Sequence, residues 1–108
     1  MKQNYSVVIN GRFLTQKMTG VHRYAYEMCC ALKRAGLSFL VVAPDKVLPD
    51  YDICFDLETC GKFSSHFWEQ IELPLFLNKH YKNHLLVSFT GIGSIFYKKM
   101  ICTIHDIS

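Results

Sequence analysis

The chain has 108 residues, half of them hydrophobic and 14% aromatic, enough apolar material for one compact domain and too much for a disordered segment. Its formal net charge of +3 is scattered, with no basic run longer than a pair such as Lys98-Lys99, so the clustered cationic footprint of a nucleic-acid binder is missing. Five cysteines, an odd set without C-x-x-C spacing, exclude a regular disulfide framework and point to reduced thiols in a cytoplasmic setting.

The first element follows at once. Ser6 to Ile9 is a short run with β-branched residues side by side, stopped by Asn10-Gly11, and reads as a buried strand. The apolar stretch around it is too short for a signal peptide, and no run approaches the roughly 18 to 20 apolar residues of a membrane span. The expectation is a soluble chain, with at most peripheral contact at the inner face of a membrane.

Next comes NGRFLTQKMTGVHRY, Asn10 to Tyr24, a connection rich in glycine, arginine and hydroxyl or amide side chains. Gly11 and Gly20 fit neither the dinucleotide fingerprint G-x-G-x-x-G nor the phosphate loop G-x-x-x-x-G-K-[ST]. From Val21 the apolar positions Val21, Tyr24, Ala25, Met28, Leu32 and Ala35 recur three and four apart, which predicts an amphipathic helix with Thr19 as its cap and Gly36 as its stop.

Leu37 to Ala43 is a second continuous apolar run that ends at Pro44-Asp45, completing a strand, helix, strand unit with parallel strands. In Asp50 to Ser65 the best strand candidate is Ile53 to Phe55. Ser65 is placed to cap a helix through Glu72, and Pro74 predicts a break followed by a second short helix over Leu75 to His80. Leu85 to Phe89 and Met100 to Ile104 complete the set as buried strands. The whole reads as an α/β protein, a parallel sheet with helices on both faces.

In such sheets ligands bind beyond the carboxyl ends of the strands, and the unusual residues collect there. Asn10, Gly11 and Arg12 follow the first strand, Thr90, Gly91 and Gly93 the fourth, and His105 and Asp106 the last. A helix beginning at Gly20 offers free N–H groups to a phosphate or diphosphate, with Arg12 or Arg23 to match its charge. The plainer reading is a glycine easing a tight turn beside two solvated arginines. His105 is placed to bond a polar substrate with Asp106 fixing its orientation, or else Asp106 caps a helix and His105 is a satisfied polar group. His66, Trp68 and Glu69 lack the two histidines of H-E-x-x-H, so Phe67 and Trp68 read as core, and neither histidines nor cysteines show zinc spacing.

Three segments, TGVHRYAYEM (Thr19 to Met28), HFWEQIELP (His66 to Pro74) and TIHDI (Thr103 to Ile107), in this order and at these separations, resemble the amino-terminal domain of family 4 glycosyltransferases of the GT-B fold. The resemblance is to bacterial members that build polysaccharides, and it spans nearly the whole chain. It implies retaining transfer of a sugar from a nucleotide diphosphate sugar to a saccharide or lipid-linked acceptor, without a cofactor and without the metal typical of GT-A enzymes. By this similarity Gly20, with Thr19, lies near the donor diphosphate and His105 near the transferred sugar. Many relatives carry Gly-Gly where this chain has Thr19-Gly20, and His22 receives no role.

GT-B enzymes pair two Rossmann-like domains, the second supplying most nucleotide-sugar contacts, including a spaced glutamate pair. Residues 1–108 are therefore expected to form a partial, acceptor-side first domain without the nucleotide-sugar domain, inactive by itself and completed by that missing domain or by self-association. The competing expectation is a non-catalytic α/β binding or interaction module that keeps a phosphate half-site.

Overall fold

The computed structural model describes residues 5–62, 67–82, 84–89 and 100–102, the last three through their backbone. The chain runs β1 (Val7–Asn10), a 3-10 turn (Arg12–Thr15), α1 (Gly20–Arg34), β2 (Phe39–Ala43), β3 (Leu57–Thr59), a π-helical turn (Trp68–Glu72), α2 (Leu73–His80), β4 (Leu85–Ser88) and β5 (Met100–Cys102). Among the described residues these strands form one sheet in the order β3-β2-β1-β4-β5, every pair parallel. The architecture is α/β and Rossmann-like.

Strand alternation divides the core between the two faces. Ile9, Phe39, Val41 and Ala43 pack with Ala25, Cys29 and Cys30 of α1, whereas Val8, Leu40, Val42 and Leu86 pack with Trp68, Leu73 and Leu77 of the opposite helical layer. Burial on both faces is why β1 and β2 read as unbroken apolar runs. The Pro44 to Asp56 crossover between β2 and β3 contains no helix. Instead Leu48, Tyr51, Ile53 and Phe55 from that segment pack beside α1, filling the layer a crossover helix would occupy.

Helix α1 begins at Gly20, with Thr19 extended at the N-cap but making no side-chain cap bond. Its carboxyl end closes as a Schellman motif, in which Gly36 (φ +87°) donates to the Lys33 carbonyl and Leu37 to the Leu32 carbonyl, each at 3.1 Å. Gly11 serves another need. A Cβ there would come within 2.6 Å of Val41 Cγ1 and 2.8 Å of the Val42 oxygen, so only glycine lets the chain leave β1 this close to β2.

Three expectations need correction. Ile53 to Phe55 is not a strand; the third strand is Leu57–Thr59, which the single apolar residue in Leu-Glu-Thr conceals at a sheet edge. The helical layer does not break at Pro74. The Leu73 N–H reaches the Trp68 carbonyl, five residues back, and Pro74 falls in the first turn of α2, where a missing N–H is tolerated. Phe67 is half exposed rather than core, while Trp68 is fully buried as expected. Ser65, His66 and Ile104 lie outside the described residues.

Candidate functional site

In the strand order the strand after β1 lies toward one edge of the sheet and the strand after β4 toward the other, so the carboxyl ends of this central pair flank a topological switch point. Asn10 ends β1 and Ser88 ends β4, and both are buried. Register parity with Val8 and Leu86 turns them to the α2 face, where Glu69 of the π turn meets them. Asn10 Nδ2 donates to Glu69 Oε2 at 2.8 Å and to Ser88 Oγ at 3.2 Å. Asn10 Oδ1 accepts the Arg12 backbone N–H at 3.1 Å, an Asx turn that steers the chain out of the strand.

Arg12 returns over this cluster, its Nη1 lying 3.8 Å from Glu69 Oε1. The Glu69 side chain is only 5% exposed and that of Arg12 24%, so the carboxylate is held inside and the guanidinium is the more solvent-exposed partner. A buried carboxylate is tolerated where a cation and hydrogen-bond donors compensate its lost hydration. Trp68 fixes the turn that carries it, since its indole Nε1 donates to the Cys60 carbonyl at 2.7 Å. A widened turn also explains the aim of Glu69: one extra residue lets both Trp68 and Leu73 reach the core while the acid between them points at the strand ends.

On the other face α1 starts with Gly20 at φ +50° and nothing within 4 Å of an added Cβ, so its first turn is approachable by a ligand. His22 in that turn has a buried Nδ1 with no hydrogen-bond partner. Arg23 is exposed. The preceding loop is braced from below: Tyr51 Oη donates to the Phe13 carbonyl at 3.1 Å and the Gln16 carbonyl at 2.7 Å, and the Leu48 N–H to the Leu14 carbonyl at 2.9 Å.

Of the residues singled out in the sequence, Arg12 enters the polar cluster, while Thr19, Gly20 and Arg23 belong to the start of α1. His105, Asp106, Thr90, Gly91 and Gly93 lie outside the described residues. Glu69 enters the sequence reading only through the H-E-x-x-H pattern it fails to complete, and Ser88 and the inward turn of Asn10 escape it. The segment Phe67 to Leu73 carries Glu69, Gln70 and Glu72 among its apolar residues, so nothing local singles out Glu69 as the one that turns inward. Among the described residues, no group of three or more His, Cys, Asp or Glu side chains is arranged to hold a metal ion, and no helix is long and apolar enough to cross a membrane.

No family model, curated protein or solved structure matches the chain.

Proposed function

We propose that the chain is the acceptor-side domain of a retaining, nucleotide-sugar-dependent glycosyltransferase of surface polysaccharide synthesis. The observation that carries this reading is the anchored carboxylate of Glu69 at the switch point, with Asn10, Ser88 and Arg12 around it. A leucine would fill such a site at no electrostatic cost, so a carboxylate there is suited to accepting hydrogen bonds from hydroxyl groups that enter the crevice. Saccharides bring many hydroxyls and little else to recognise.

In this reading the open first turn of α1, at Thr19 and Gly20, faces the donor diphosphate, with Arg23 adding charge complementarity. Arg12 and Glu69 bind and orient the acceptor. His105 meets the transferred sugar, and Asp106 orients it. A second, nucleotide-binding domain supplies the remaining donor contacts, and a lipid-linked acceptor brings the protein to the cytoplasmic face of a membrane. Catalysis then consists largely of holding the acceptor hydroxyl against the anomeric carbon in a site shielded from water.

A thermal-shift screen tests this. Nucleoside diphosphate sugars and short saccharides are each expected to raise the melting temperature in a saturable way, because they bind the folded state only. Inorganic phosphate at equal concentration is expected to do less. Equal shifts with phosphate alone favour the simpler phosphate half-site of a non-catalytic module; no shift with any of them overturns the proposal.

A further inference from the structure

Far from the switch point, α1 and the β2–β3 crossover bring two thiols together. Cys30, buried on α1, and Cys54, exposed on the crossover, are separated by 24 residues in sequence, yet Cys54 Sγ donates to Cys30 Sγ at 3.4 Å. We propose that Cys30 and Cys54 form a reversible disulfide that locks α1 to the crossover under oxidising conditions. The inference is independent of the glycosyltransferase reading.

The sulfur atoms must approach to about 2.05 Å, a movement the exposed Cys54 side chain on an irregular segment supplies. Neither near neighbour competes. Cys29 precedes Cys30 but is fully buried in apolar surroundings, and Cys60 packs against the other face of the sheet. Burial first, and the contact with Cys54 second, push the Cys30 thiol above its ordinary value, so Cys54 is the sulfur placed to meet an oxidant.

With hydrogen peroxide as the oxidant, the Cys54 thiol releases its proton and the thiolate sulfur attacks one peroxide oxygen; the O–O bond breaks, and the departing hydroxide takes up the released proton, so that a sulfenic acid and one water result. Cys30 sulfur then attacks Cys54 sulfur, the S–O bond breaks, and the departing hydroxide takes the Cys30 proton to leave as a second water. Two thiols lose two electrons and one peroxide gains them. The new bond braces the wall beneath the β1–α1 loop, because the same crossover carries Tyr51, bonded to Phe13 and Gln16, and Asp52, whose carbonyl accepts from Tyr26 at 2.6 Å.

The experiment treats the chain with substoichiometric hydrogen peroxide and maps cysteine-containing peptides with and without reductant. The expected result is a Cys30–Cys54 linked peptide that disappears with dithiothreitol, a melting temperature several degrees higher in the oxidised form, and slower amide exchange over residues 12–16. Cys54→Ser, at an exposed position, is expected to fold normally and to lose all three responses. A Cys54 that becomes sulfinic acid, or that links to any cysteine other than Cys30, or an oxidised form no more stable than the reduced one, overturns the proposal.

Discussion

At the scale of single residues, Asn10 and Glu69 are energetically bound to each other. Replacing Asn10 by alanine removes the amide from a buried carboxylate and is expected to cost about 2–3 kcal/mol by urea denaturation. Glu69→Gln keeps an acceptor for Asn10 and is expected to cost about 1 kcal/mol. Their non-additivity in the double mutant measures the pair, and additive losses would show that the contact contributes nothing. The two glycines of the first loop should respond differently. Gly11→Ala drives a methyl into the β2 backbone and should cost about 2–3 kcal/mol, whereas Gly20→Ala meets open space and pays only for its positive φ, about 1 kcal/mol. The sequence shows both as glycines in one loop; only the packing of β2 against residue 11 tells them apart.

At the scale of elements, β1, β2 and α1 were legible because each declares itself locally, the strands as continuous apolar runs and α1 by its three-and-four spacing and the glycine that ends it, whereas β3, with one apolar residue in Leu57–Thr59, was not. The π turn was not, because its cause is tertiary. Trp68 and Leu73 are both drawn into the core, and Pro74 then falls where α2 begins. An interior, helix-breaking proline would cost about 3 kcal/mol, so Pro74→Ala would be strongly stabilising. In the observed position the change is expected to stay within about 1 kcal/mol, which denaturant midpoints decide. The end of α2 is tied to β3 by Tyr81, whose hydroxyl donates to Glu58 Oε1 at 3.0 Å. Burial, and then Glu58, push this phenol up from 10.0 to about 12. The folded state thus holds the proton more tightly than the unfolded chain. The contribution is complete below pH 10 and is lost as pH rises through about 12. Tyr81→Phe should flatten the fall in stability over that window, and an unchanged slope would contradict the assignment.

At the scale of the molecule, the parallel order β3-β2-β1-β4-β5 gathers residues 59 and 78 positions apart, Asn10 with Glu69 and Asn10 with Ser88, onto one crevice. No local pattern announces such a site, which is why the sequence yields the edge at which it lies and the arginine beside it but not the carboxylate at its centre. The same topology sets the start of α1 on the opposite face of the sheet, so the proposed acceptor and donor groups approach one edge from two sides. Residue-resolved amide shifts during titration with a nucleoside diphosphate sugar, and separately with an oligosaccharide, test this arrangement most directly. The account predicts donor-induced shifts at residues 19–24 and saccharide-induced shifts at residues 10–12, 69 and 88, the latter abolished by Glu69→Gln in a protein that still folds. Shifts from both ligands confined to other surfaces, or a Glu69→Gln variant that binds the saccharide unchanged, would contradict it.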